Sequence, residues 1–310
     1  MTSARHSQPY RGVYPIAPTP FNDDESLDLE GQKRVLDCMI DQNVDGICIL
    51  ANYSEQFLLT DAERDILLTT CLEHVAGRVP VIATCSHFST RVSIERARQA
   101  EAAGADMIMM MPPYHGTGLK ASEAGNFTYF EKLADAISIP IMVQDAPLSG
   151  VTLSVSFLAE LARRAPQIGY FKVEVPGAAG KLRDLIAAGG SAIEGPFDGE
   201  ESITLMADLD AGATGTMPSG LLPELIRPVV MEYLAGNTKQ AAEKYAAILP
   251  LINFENRQCG LRATKTAMKE GGVIKCDLVR HPLEPLHPKT RQQLLQQAAA
   301  LDVLALRWGQ

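Results

Sequence analysis

The sequence predicts an α/β protein: a (β/α)8 TIM barrel with a C-terminal helical extension. Three observations carry that prediction. Eight short apolar runs alternate with helical patterns across residues 12–236. The runs show little polar alternation, as expected for parallel strands buried on both faces. The first run carries Pro15, Pro18 and Pro20 where a doubly wound open sheet would have a glycine-rich turn. Residues 1–11 form a polar N-terminal arm, 12–236 the barrel and 237–310 the helical extension.

The strands are expected at 13–21, 46–50, 79–85, 106–111, 139–144, 168–174, 192–195 and 213–217. The helices between them follow from pattern and caps. The first, 29–40, sets Leu29, Val35, Leu36, Met39 and Ile40 on one stripe. The second, 61–74, follows Thr60 as N-cap, and the third, 90–103, ends at Gly104. Patterns at 121–137, 155–165, 178–188, 202–209 and 222–234 continue the rhythm. Three more helices, 239–252, 261–269 and 290–304, make up the extension, with Pro282, Pro285 and Pro288 before the last.

A length of 310 residues allows two domains, or one barrel with an added piece. The content of 46% hydrophobic and 21% charged residues excludes wholesale disorder and fibrous classes. The formal charge of −9 speaks against nucleic-acid or anionic-membrane partners. An anionic substrate must therefore be met by local donors. The six cysteines include no CxxC pair and lie mostly in apolar runs. They predict reduced, buried thiols rather than a disulfide framework or zinc site. The histidines lack metal-ligand spacing, so no metal is expected. No secretory h-region or membrane-length apolar run is visible, which points to a cytoplasmic protein without an anchor.

Barrel active sites lie at the C-terminal ends of the strands. The sixth run ends Gly169-Tyr-Phe-Lys-Val-Glu174. Lys172 sits inside an apolar strand, where desolvation makes a lone charge expensive. It is either a structural partner of Glu174 or an amine able to form a Schiff base with a ketone. Glu174, two residues on, points to the same face. The second run leads into Ala51-Asn-Tyr-Ser-Glu55, a polar turn that can offer donors to a carboxylate or simply cap the next helix. The fifth ends Met142-Val-Gln-Asp-Ala-Pro147, with Gln144 and Asp145 after an apolar stretch. Tyr114 and His115, after the fourth, are site residues or a packed loop.

With those strand ends in place, the chain resembles the dihydrodipicolinate synthase / N-acetylneuraminate lyase family over nearly its whole length. The opening Gly12-Val-Tyr-Pro-Ile-Ala-Pro-Thr-Pro-Phe21, the Ala51–Glu55 turn, Gly104–Tyr114, Phe171-Lys172, Gly212-Ala-Thr-Gly215 and Lys265–Glu270 carry the resemblance. It implies that Lys172 is the Schiff-base lysine, with no cofactor beyond the covalent imine. Two departures matter. Where the family's aldolases and synthases have a proton-shuttling tyrosine, this chain has Gln144, and an amide cannot act as that acid/base. The synthase's substrate-binding arginine is absent from Leu148-Ser-Gly150. Glu174 then stands as the proton carrier, which is the pattern of the dehydratase branch.

The resemblance implies that a 2-keto-3-deoxy sugar acid of five carbons is converted to α-ketoglutaric semialdehyde and water. Lys172 and Glu174 are the expected catalytic pair. Asn52 and Tyr53 stand where the family binds the pyruvate carboxylate, and backbone N–H groups there can serve. Gln144 and the loop after the seventh strand, beginning at Gly195, are expected to meet substrate hydroxyls. Tyr114 or His115 is expected to reach a dimer interface within a homotetramer. Three alternatives remain open: a decarboxylating 5-keto-4-deoxyglucarate dehydratase, a pyruvate-dependent aldolase, and a catalytically silent ligand-binding barrel.

Overall fold

The computed structural model describes residues 9–116 and 118–310. Most of the expected N-terminal arm, 1–8, lies outside the described residues. Eight strands occur in the order and near the places expected: Gly12–Val13, Ile47–Ile49, Val81–Thr84, Met107–Met110, Ile141–Asp145, Ile168–Val173, Gly195–Asp198 and Gly215–Thr216. Helices follow them in the (β/α)8 succession, and further helices end the chain. The chain divides into two compact units.

One unit comprises 82–200 and 204–217 together with residues 9–11. Its strands run parallel from the third through the eighth. Ile82 pairs with Met107, Ile108 with Ile141, Phe171 with Val143, Lys172 with Phe197, and Gly215 with Phe197. The strands are buried throughout, which explains their near-continuous apolar character. Two helices border the sixth strand in sequence: Val155–Arg164, capped by Ser154, and Ala178–Gly189. A short antiparallel ladder, Tyr114–His115 with Leu119–Lys120, follows the fourth strand.

The other unit comprises 12–81, 201–203 and 218–310. The first run is strand only at Gly12–Val13, then meets its neighbours through single bridges, Ile16 to Cys48 and Ile16 to Ser219. Pro15, Pro18 and Pro20 lack the N–H groups that a longer ladder needs. Helix Leu29–Asp41 starts at Asp28, whose carboxylate accepts from Gly31 N at 2.9 Å. Helix Asp61–Val75 opens with a reciprocal Thr60–Glu63 capping box, a feature that contributes about 1 kcal/mol. The C-terminal helices are Pro223–Leu234, Thr238–Phe254, Arg262–Glu270 and Pro288–Ala300, and a π-helical turn, Glu255–Cys259, follows the second of them.

The clearest departure is at the seventh strand. Gly190–Ala192 forms a 3-10 turn, and the strand is Gly195–Asp198. The segment expected to be the loop after the strand is the strand itself. The following helix also starts late, at Leu205, because Glu201 and Ser202 take positive φ (48° and 70°). The six cysteines are free, five buried and Cys276 half-buried. No helix among the described residues is long and apolar enough to cross a membrane.

Candidate active site

Lys172 lies near the end of the sixth strand and is 1% exposed. Its Nζ stands 3.3 Å from Glu174 Oε2. The strand period of two puts both side chains on one face. Glu174 itself lies just past the strand, with its N–H bonded to the Asp145 carbonyl at 2.9 Å. Its side chain keeps 21% of its surface open, so the carboxylate is within reach of solvent or a ligand.

Gln144 completes this group. It pairs in register with Lys172, and its Nε2 donates to Glu174 Oε2 at 2.9 Å. The amide therefore aims the carboxylate at the amine. Gln144 Oε1 is buried with no hydrogen-bond partner among the described residues. A buried acceptor left without a donor is costly unless a ligand supplies one. Next to it, Asp145 points the other way and meets Lys181 Nζ at 2.5 Å, tying the helix after the sixth strand to the fifth. Burial raises the Asp145 carboxyl above its usual range, and Lys181 pulls it back. Gly199 closes the group from the seventh strand. A Cβ there would stand 2.7 Å from the Val173 carbonyl and 2.9 Å from Glu174 Cβ, so only glycine lets the chain pass.

Gly195 has a different place from the one expected. It opens the seventh strand opposite Tyr170, two residues before the Lys172 level. That is the N-terminal half of the strands, away from the ends where barrel sites lie. A Cβ on Gly195 would stand 2.2 Å from the Tyr170 ring, so packing accounts for this glycine. Asp198, at the strand's far end, was not singled out. Its carboxylate accepts from Thr216 Oγ1 at 2.5 Å and from Glu200 N at 3.1 Å. It also faces Asp208, whose carboxyl burial and Asp198 together raise to about 7. Tyr114 and His115 lie in the ladder after the fourth strand. The Tyr114 hydroxyl is buried with no partner among the described residues, and burial raises its pKa. His115 is exposed, its ring 6.1 Å from that of Phe88.

Asn52 and Tyr53 belong to the other unit, in a 3-10 turn, Asn52–Ser54. Leu50, just before it, has φ 57°, a strained conformation for a bulky residue. Ser54 Oγ donates to the Ala17 carbonyl at 2.6 Å, and Thr19 Oγ1 donates to the Ser54 carbonyl at 2.8 Å. Ser54, Glu55 and Gln56 N–H groups bond back within the turn, whereas the Asn52 N–H has no partner among the described residues. Tyr53 donates its hydroxyl to Asn256 Oδ1 at 3.1 Å, on the π-helical turn. Beside Asn256, Glu255 is buried and accepts from Ser219; burial pushes its carboxyl up to about 8. Neither Glu255 nor Asn256 carries a sequence signal, since a π turn has no periodicity to read. Among the described residues no cluster of three or more His, Cys, Asp or Glu side chains could hold a metal ion.

A (β/α)8 chain with a lysine and a carboxylate at the end of its sixth strand has the layout of a barrel enzyme. The model of the dihydrodipicolinate synthetase family matches residues 9–301, and the chain belongs to that family. It is 56% identical over 300 residues to the L-2-keto-3-deoxyarabonate dehydratase of Azospirillum brasilense, covering 97% of both chains. It is 32% identical to 4-hydroxy-tetrahydrodipicolinate synthase 2 of Streptomyces coelicolor, over 94% of this chain and 95% of that one. Among solved structures, YagE of E. coli K12, a family member in complex with pyruvate, superposes with a TM-score of 0.87 at 27% identity, covering 95% of this chain and 99% of that one. The synthase of Aquifex aeolicus, at 22% identity and a TM-score of 0.88 over 95% and 99%, shares the fold. The fold is thus the (β/α)8 barrel with a helical C-terminal part.

Proposed function

We propose that the protein is a lyase that dehydrates L-2-keto-3-deoxyarabonate to α-ketoglutaric semialdehyde through an imine on Lys172. The observation that carries this is the Gln144–Glu174–Lys172 group: a carboxylate, oriented by an amide, 3.3 Å from the amine. The 56% identity to an enzyme of that name supports the substrate. An aldolase or synthase reading is disfavoured because Gln144 offers no group that can carry a proton in carbon–carbon cleavage.

The Lys172 amine adds to the C2 ketone, and loss of water gives an iminium. The iminium acidifies C3, and the Glu174 carboxylate takes a C3 proton to form an enamine. The enamine expels the C4 hydroxyl, which leaves as water with the proton returned by Glu174. Loss of a C5 proton then gives a dienamine bearing an enol at C5. Protonation at C3, tautomerisation and hydrolysis release the semialdehyde and restore the amine. The water lost on imine formation is regained on hydrolysis, so one water is released per turnover. In this reading Gln144 Oε1, which has no partner among the described residues, accepts from a substrate hydroxyl. The resemblance gives the substrate carboxylate to Asn52 and Tyr53. We also place the enzyme in the cytoplasm as a homotetramer, with Tyr114 or His115 at a subunit contact.

The test is product analysis with L-2-keto-3-deoxyarabonate. Semialdehyde without pyruvate is expected. Pyruvate plus glycolaldehyde would establish an aldolase instead, and no turnover of any 2-keto-3-deoxy acid would favour a silent barrel.

A further inference from the structure

We propose that a cavity in the C-terminal helical part, lined by Arg262, Thr266, Lys269, Asp277 and Arg291, binds a small oxyanion, of the size of phosphate or a four- to five-carbon dicarboxylate. The cavity has a volume of about 210 Å³. All of its lining lies in one compact unit, and none of it belongs to the lysine site.

The charges around it are arranged unevenly. Asp277 is shared between two cations, with Lys269 Nζ at 3.1 Å and Arg291 Nη2 at 3.3 Å. Arg291 also meets Glu270 at 2.6 Å. Arg262 also lines the cavity. Its Nε donates to the Glu284 carbonyl at 2.5 Å and its Nη1 to the Cys259 carbonyl at 3.3 Å. Among the described residues it has no carboxylate partner. A guanidinium carries five N–H donors in a fork suited to an oxyanion, and two carbonyls leave part of that fork unused.

Thr266 is the independent second observation. It is 3% exposed and lines the cavity one helical turn from Arg262. A threonine inside a helix ordinarily turns its hydroxyl back onto the preceding turn. The residue is nearly fully buried, yet its hydroxyl makes no hydrogen bond among the described residues and keeps its accessible surface on the cavity it lines. A ligand oxygen would satisfy this hydroxyl and the free Arg262 donors together. Val279, Pro285 and Leu286 form an apolar wall that strengthens charge interactions inside. The volume falls below the roughly 300–1,000 Å³ of typical ligand pockets, which excludes nucleotides. The chain's charge of −9 gathers no anions at a distance, so affinity must come from these contacts.

The experiment is titration calorimetry at low ionic strength with inorganic phosphate and, separately, succinate. Wild type, Thr266→Val and Arg262→Gln are compared, each checked by melting temperature. Saturable binding of at least one probe to wild type is expected, weakened tenfold or more in both variants. Thr266→Val keeps the side-chain shape, so its loss of binding would not reflect misfolding. Its turnover without added anion should match wild type. Binding of phosphate alone or succinate alone supports the site and identifies the ligand class. The proposal is overturned if neither probe binds saturably, or if either variant binds as wild type does.

Discussion

The chain buries two lysines beside glutamates, and the two pairs have different ends. Lys265 is fully buried, and so is its partner Glu55. Its ammonium donates to Glu55 Oε1 and to the Leu278 carbonyl at 2.8 Å, and lies 4.3 Å from the centre of the Phe21 ring. The second Glu55 oxygen accepts from Arg280 N at 3.1 Å. Arg280 in turn stacks on Phe21 and bonds Glu63. Burial lowers the Lys265 pKa, and Glu55 works against that shift. Every polar atom in this pair is committed to the protein. Lys172 is almost as buried, but its partner Glu174 stands 3.3 Å away, accepts from Gln144 Nε2 at 2.9 Å and keeps a fifth of its side-chain surface open. Burial of a lysine therefore does not mark chemistry. What sets the Lys172 pair apart is an incompletely enclosed partner beside an unpartnered acceptor, Gln144 Oε1.

Under the proposed mechanism, removing the Lys172 amine should have the largest effect. Lys172→Ala should lower turnover by about 10⁴-fold or more, since the nucleophile that acts as a unit with its partners is gone. Steady-state assay of the purified variant checks this, and wild-type-like turnover would remove Lys172 from the reaction. Glu174→Gln should lower kcat by about 10²–10⁴-fold, the usual worth of a general base, while the imine still forms. An unchanged kcat would transfer the proton to another group.

Lys265→Met should leave imine trapping intact and destabilise the fold by about 3–5 kcal/mol, because Glu55 would be left as a buried, unpaired charge. Urea unfolding measures this, and a companion Glu55→Gln change in the same chain should recover part of the loss. An unchanged midpoint would mean that the pair contributes nothing. The smallest effect concerns Glu255, whose carboxyl burial pushes from 4.5 to about 8. The folded state holds that proton where the unfolded chain has released it. Stability from this group is therefore full below about pH 4.5, falls as pH rises towards about 8, and is flat beyond. Glu255→Gln should narrow the difference in urea stability between pH 6 and pH 8 by about 2 kcal/mol. An identical difference in both proteins would contradict this.

The two lysine pairs also show what the sequence makes legible. Lys172 and Glu174 lie two residues apart, so a strand period of two and an apolar context place them together without a structure. Lys265 and Glu55 are 210 residues apart. Both fall in motifs, but no spacing reveals that they meet. The same limit hides the bond from Gln144 to Glu174, which depends on strand register. The eight-unit alternation and most helix limits are readable because signals such as the Thr60 N-cap are local, whereas the Ser122 cap falls inside the expected helix 121–137, which starts only at Glu123. The seventh strand is misplaced for a physical reason. Ala192 and Ile193 look like the opening of an apolar run, but the ladder needs Gly195 beside the Tyr170 ring, a contact that local pattern does not contain. Glu201 and Ser202, with positive φ and no glycine, likewise give no warning that the next helix starts late.

The mechanism stands or falls on Lys172 holding the substrate as an imine while Glu174 moves its proton. Intact-mass analysis after borohydride reduction reads this out, with wild type, Glu174→Gln and Lys172→Ala each incubated with L-2-keto-3-deoxyarabonate. A substrate-derived mass increment is expected on the first two, mapped by peptide digestion to Lys172, and none on the third. An equal increment on Lys172→Ala, or none on wild type, would contradict the imine at this residue.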